Sequence, residues 1–181
     1  MTFIEKVHQA IDKIPYKEVE KVVEYLVDTY KNGGTIYTFG NGGSYALAQH
    51  LTADLRKLRL KIFCIPSSIA ELTMYANDDG YERIFFSPLW LHLQKQDIVI
   101  AFSSSGSSKN IIRAVQYAKV QGCRIVGFSG FDKENQLNQL STAKIHIPTE
   151  VGEYGVVESV HDVVLHLLTE KTKHALFTMH E

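Results

Sequence analysis

The 181 residues are enough for one domain with a substantial core and few for two, and 45% hydrophobic with 22% charged residues is a globular rather than a disordered composition. A formal net charge of −1 excludes a general electrostatic pull towards nucleic acid or an anionic membrane, so a bound anion has to be held by local geometry. No window approaches the apolar length of a membrane span, and Met-Thr-Phe-Ile-Glu-Lys-Val-His carries charge where a secretory signal needs an apolar run, so a cytoplasmic protein is expected.

Residues 3–14 and 16–31 read as two helices hinged at Pro15. In the second, Val19, Val22, Val23, Leu26, Val27 and Tyr30 recur at helical spacing before the stop at Asn32-Gly33-Gly34. This segment, 1–34, precedes an alternating core over 35–181. Strands are expected at Thr35–Phe39, Lys61–Ile65, Asp97–Phe102, Arg124–Phe128 and Lys144–Pro148. Helices are expected at Ser44–Lys57, across 81–94 with an interruption near Pro88, at Ser108–Gln121 and at Val156–Ala175. Pro66-Ser67-Ser68 reads as a strand stop, followed by a loop through Asn77-Asp78-Asp79-Gly80. The pattern predicts a single domain of α/β class: a doubly wound, five-stranded parallel sheet with helices on both faces. Cys64 and Cys123 fall in apolar, strand-like runs. A disulfide and buried free thiols are both open, and the second, in a reducing compartment, is preferred.

Ligands of such sheets bind at the carboxyl ends of the strands, and two of those ends carry unusual chemistry. Ser103-Ser104-Ser105-Gly106-Ser107-Ser108 runs from a buried strand into a helix N-terminus, where hydroxyls, free amides and the helix dipole favour a phosphate. A flexible loop capped by Ser108 is the plainer alternative. Five serines in six positions make it the weaker one. Gly40-Asn41-Gly42-Gly43-Ser44 follows the first strand. Tyr45 stands where a dinucleotide fingerprint needs its third glycine, and the Gly-Lys-Ser/Thr ending of a P-loop is missing, so no nucleotide cofactor is expected.

His50 and Asp54 share a helix face, and Glu158, Asp162 and His166 repeat every four residues on the last helix. The apolar stripe there is Val156, Val157, Val160, Val163, Val164, Leu167 and Leu168, so the polar stripe is expected to look away from the main packing face. Taken singly, each is an ordinary solvated face. Brought together, His50, Asp54, Glu158 and His166 would suit proton transfer or a divalent metal such as zinc. Arg56-Lys57-Leu58-Arg59-Leu60-Lys61 reads as a helix end and solvated turn. His8, His92, His146, His174 and His180 read as surface or packing residues.

The glycine loop, Asn77-Asp78-x-Gly80, the serine loop and a last helix bearing His166, in that order, resemble the SIS (sugar isomerase) domain superfamily, and within it the phosphoheptose isomerases. The resemblance covers nearly the whole chain. It implies that Ser103, Ser104, Ser105 and Ser108 bind the substrate phosphate, and that Asn41, Ser44 and Asp78, with Gly42 and Gly43 in the same loop, hold the sugar. It implies an enediol interconversion of sedoheptulose 7-phosphate and an aldoheptose 7-phosphate, serving heptose and surface-polysaccharide synthesis. Asp54 would be the base and His166 its acid–base partner, with Glu158 beside the substrate. A zinc ion on His50, Asp54, Glu158 and His166, and a homotetramer built through the N-terminal helices, are implied as well. Known members carry Glu at the place of Asp54 and Gln at that of Glu158. Two rivals remain: a non-catalytic member that binds a phosphosugar or a protein, as a regulatory or replication-initiation factor does, and an isomerase of another sugar phosphate.

Overall fold

The computed structural model describes residues 1–177, and His180 lies outside them. Helices α1 (Phe3–Ile11) and α2 (Tyr16–Lys31) precede β1 (Ile36–Gly40), α3 (Gly43–Lys57), β2 (Ile62–Cys64), α4 (Ile69–Asp78), a 3-10 turn (Tyr81–Arg83) and α5 (Phe86–His92). Then come β3 (Ile98–Phe102), α6 (Lys109–Val120), β4 (Arg124–Gly130), α7 (Gln136–Leu140), β5 (Ala143–Ile147) and α8 (Tyr154–Phe177). The five strands form one parallel sheet in the order β2-β1-β3-β4-β5.

Alternation along β3 divides the core. Ile98, Ile100 and Phe102 face α1, α2, α3 and α8, whereas Val99 and Ala101 face α5, α6 and α7. Both faces are therefore covered, as the continuous apolar run of this strand requires. A polar clamp fixes α3 on β1: Thr38 Oγ1 donates to the Ala48 carbonyl at 3.1 Å and lies 2.7 Å from Thr52 Oγ1. The strand order reverses direction between β1 and β3, the crevice where doubly wound sheets bind ligands. Gly40 and Phe102 pair across it, so the glycine and serine loops leave the sheet side by side.

Several expected elements differ. The loop ending at Asn77-Asp78-Asp79-Gly80 contains helix α4. Ser68 is its N-cap, accepting from Glu71 N at 3.2 Å, while Glu71 accepts from Ser67 N. Ser68 thus starts a helix as well as ending a strand. No residue of α4 is fully buried, and its apolar face is only the half-buried stripe Leu72, Tyr75 and Ala76, a short period to read. Helix α7 is five residues long, too short for periodicity, and is begun by the Asn135 cap. The helix expected across 81–94 is a 3-10 turn followed by α5; Pro88 sits in the first turn of α5, where its missing N–H costs nothing. Helix α1 ends at Ile11, four residues before Pro15.

The apolar stripe of α2 is satisfied within the chain: Val19, Val22, Val23, Leu26 and Val27 are buried against the sheet and α8. It therefore gives no hint of assembly, although α1 leaves Phe3 and Ile4 exposed. Cys64 and Cys123 are free thiols, and burial pushes both up, Cys123 to about 11, so neither is a ready nucleophile. Among the described residues no helix is long and apolar enough to cross a membrane.

Candidate functional site

The glycine loop is built for close approach. Gly42, the N-cap of α3, has φ +55° and ψ −123°, a conformation open only to glycine. A side chain on Gly40 would run into the Ser44 backbone, and one on Gly43 into the Glu158 carboxylate. The last contact places Glu158 of α8 directly against the start of α3. Burial there holds its carboxyl above the usual carboxylate range. Ser44 is buried behind the loop. The Asn41 side chain pairs with that of Asn110: each Nδ2 donates to the other's Oδ1, at 3.0 and 2.9 Å. This pair ties the glycine loop to the first turn of α6.

In the serine loop, Ser103 N donates to the Phe128 carbonyl and Gly130 N to the Ser104 carbonyl, so the loop is anchored to β4. Gly106, at φ +63°, makes the turn, with Asn135 packed where a side chain would stand. Ser103 and Ser104 are buried and Ser105 is half-buried. Ser103 Oγ donates weakly to Ser108 Oγ at 3.4 Å, and Ser105 Oγ accepts from Ser107 N at 3.4 Å. The Ser104 hydroxyl is buried without a partner. Ser108 occupies the N-cap position but makes no side-chain cap bond. The capped-loop alternative therefore loses its main support, and a first helical turn and a buried hydroxyl stand ready for an anion.

Two helices bring the titratable groups together. The polar stripe of α8 lies off its buried face, as the spacing predicts, and borders α3, which packs against α8; Val163, expected in the apolar stripe, is exposed. His50 stands between two carboxylates: Nδ1 is 3.0 Å from Asp162 Oδ1, and Nε2 is 3.4 Å from Asp54 Oδ2. Asp162 Oδ2 lies 3.9 Å from His166 Nε2, and the two imidazoles meet edge to face at 5.0 Å. His50, Asp162 and His166 can each offer one ligand atom within 4.8 Å of the others. Asp54 lies on the far side of His50, with Lys57 at 3.2 Å from its other oxygen. Of the expected four, His50 and His166 belong to this group. Asp54 and Glu158 flank it, and Asp162, noted only as part of a stripe, joins it. Two imidazoles and a carboxylate are a donor set suited to a divalent metal such as zinc.

Asp78 closes α4, is exposed, and accepts from Asn77 Nδ2 at 2.7 Å. Tyr81, three residues on, is the side chain of this segment that reaches the glycine loop, its hydroxyl 3.1 Å from Asn41 Oδ1. Sequence offered no signal for Tyr81. Asn110 could have been noticed as an amide directly after the serine loop. A cavity of about 410 Å³ runs along the β2 edge, lined by Thr35, Lys61, Phe63, Glu71 and Asp97 among others, and none of the residues above borders it. His92, Glu71 and Asp97 are in its lining, but the glycine loop, the serine loop and the His50, Asp162 and His166 group are not, so the phosphate-binding chemistry lies at the strand ends instead.

Residues 2–130 match the SIS domain family. The phosphoheptose isomerase of Geotalea daltonii is 31% identical over 179 residues, covering 96% of this chain and 92% of its own length. That of Fusobacterium nucleatum is 34% identical over 166 residues, covering 89% and 84%. In fold, the phosphoheptose isomerase of Neisseria gonorrhoeae superimposes with a TM-score of 0.85 over 94% of each chain at 24% identity.

Proposed function

Because the chain belongs to the SIS domain family and, within it, to the phosphoheptose isomerases, we propose that it is an aldose–ketose isomerase that interconverts sedoheptulose 7-phosphate and an aldoheptose 7-phosphate for heptose synthesis. The observation that carries this reading is the convergence of His50, Asp54, Asp162 and His166 between α3 and α8. A protein that only binds phosphosugars has no use for two imidazoles and two carboxylates linked by contacts of 3.0 to 3.9 Å.

The serine loop receives the phosphate, with Ser103, Ser104, Ser105, Ser108 and the first amides of α6 as donors. Asn41, Ser44 and the backbone at Gly42 and Gly43 hold the sugar, with Asp78 at its rim. One group must remove a proton from C1 of the ketose and a proton must return to C2, while another moves from O1 to O2. Asp54 takes and returns the carbon-bound proton, and His166 carries the oxygen-bound one. Glu158, whose carboxyl burial holds above the usual carboxylate range, supports the sugar where the glycine loop meets α8.

In a metal-bound form His50, Asp162 and His166 would hold a divalent ion, with Asp54 orienting His50 through its other nitrogen, and His166 would then give its lone pair to the ion instead of carrying the proton. Bound there, the ion would supply Lewis-acid polarisation of the carbonyl. The side chains of His50, Asp162 and His166 are 39%, 43% and 60% exposed, more open to water than enediol chemistry favours. This exposure supports a second copy of the chain covering the cluster, in a homotetramer. The two free thiols support a cytoplasmic setting.

The test is NMR of the purified protein with sedoheptulose 7-phosphate in D2O, beside Asp54→Asn and His166→Ala. Aldose formation with deuterium at C2, lost in both variants, is expected. Binding without isomerisation or exchange, in protein supplied with zinc, would overturn the enzyme reading in favour of a phosphosugar-binding regulator. Turnover of other sugar phosphates alone would move the substrate.

A further inference from the structure

We infer that Asn110 is a positioning residue that fixes the polarity of Asn41, so that Asn41 meets the sugar only as a hydrogen-bond donor. The inference rests on the isomerase reading of the glycine loop and adds a residue and a direction to it.

A reciprocal pair of carboxamides is ambiguous by itself, since turning both over restores the same two bonds. Here a backbone group removes the ambiguity. Ile111 N–H donates to Asn110 Oδ1 at 2.9 Å, and a backbone amide can only donate, so that atom is oxygen. This is the bond an N-cap side chain would ordinarily make to the third residue of a helix, and Ser108 leaves it unmade. With Asn110 fixed, its Nδ2 must donate to Asn41 Oδ1, and Asn41 Nδ2 must donate to Asn110 Oδ1. Asn110 is 3% exposed on the first turn of α6, so it cannot rotate away into water.

The inventory of Asn41 follows. Its oxygen accepts from Asn110 and from the Tyr81 hydroxyl, which uses both lone pairs. One of its two N–H hydrogens is taken by Asn110. A single N–H remains for a ligand. It is a preset donor, suited to a carbonyl oxygen or to the negative charge that develops on that oxygen as an enediol forms. Tyr81, in the 3-10 turn next to a helix with no buried residue, closes the other side of the amide and keeps it from accepting a sugar hydroxyl.

The experiment is a double-mutant cycle on the full-length protein with Asn41→Ala, Asn110→Ala and the double variant, repeated with Asn110→Leu, which fills the buried volume without an amide. Turnover of sedoheptulose 7-phosphate, affinity for inorganic phosphate, and hydrogen exchange of the Asn41 side-chain amide by 15N NMR are read together. Expected is a fall in kcat of about a hundredfold for Asn41→Ala, a similar fall for either Asn110 variant, and a double variant no worse than Asn41→Ala. Phosphate affinity should stay within about twofold, and the Asn41 amide should lose its exchange protection when Asn110 is replaced. Multiplicative losses in the double variant, or phosphate binding that falls in step with turnover, would overturn the positioning role. Wild type without turnover would instead sink the isomerase reading, while the exchange measurement still decides whether Asn110 orients Asn41.

Discussion

Acidification should destabilise this protein through a histidine that takes no part in the site. His161 lies on α8 between Asp162 and Val160, fully buried, with its ring edge-on to Phe128 at 5.3 Å. Its Nε2–H donates to the Ser129 carbonyl at 3.2 Å, and Nδ1 is buried without a partner. The neutral ring therefore fits and the charged ring does not: burial pushes its pKa from 6.5 down to about 4. The folded state then binds fewer protons than the unfolded chain between those two values. Stability is full above pH 6.5 and is lost as the pH falls towards 4. Each pH unit in that window is worth about 1.4 kcal/mol for one proton. His161 alone should thus withdraw about 2 kcal/mol by pH 5 and about 3 kcal/mol in all. The half-buried His146, also lowered chiefly by burial, acts with the same sign, so a subtraction is needed. Urea unfolding at half-unit steps from pH 7.5 to 4.5, for wild type and His161→Gln, supplies it. The variant keeps an amide donor for Ser129 and cannot titrate. Its stability curve should be flatter by the amounts above, whatever its offset at neutral pH. Parallel curves, or a His161 imidazole that titrates near 6.5 by 15N NMR, would refute the reasoning.

Zinc affinity by calorimetry should order the carboxylates. Asp162→Asn should weaken binding most, Asp54→Asn by about tenfold as a partner of His50, and Glu158→Gln hardly at all. Ser104→Ala should leave the free protein as stable or about 1 kcal/mol more so, because it removes an unpartnered buried hydroxyl, yet lower phosphate affinity several-fold. Loss of stability with unchanged phosphate binding would contradict that role. Gly42→Ala should cost about 1–3 kcal/mol in denaturant unfolding, since its backbone conformation excludes a side chain. Light scattering should give a mass four times that of the chain, and a monomer would remove the proposed cover over His50, Asp162 and His166.

Local chemistry made much of this molecule readable from its residues. The apolar run Ile98–Phe102, short and rich in β-branched residues, reads as a strand buried on both faces, and the valines of α2 recur at helical spacing. Gly40–Ser44 and the serines after Phe102 announced strand-end loops because glycine and serine do there what other residues cannot. Helices α4 and α7 escaped notice, one with only the half-buried stripe Leu72, Tyr75 and Ala76 and the other too short for a period. Tertiary structure alone decided which side chains meet. Spacing on α8 offered Glu158, Asp162 and His166 equally, since a repeat of four says which residues share a face and nothing about what stands opposite. The packing of α3 against α8 set Glu158 on Gly43, Asp162 on His50, and left Asp54 on the far side of the ring. The same holds for Asn41 and Asn110, 69 residues apart. A sequence fixes what each group can donate or accept, and only the fold brings a donor within 3 Å of its acceptor.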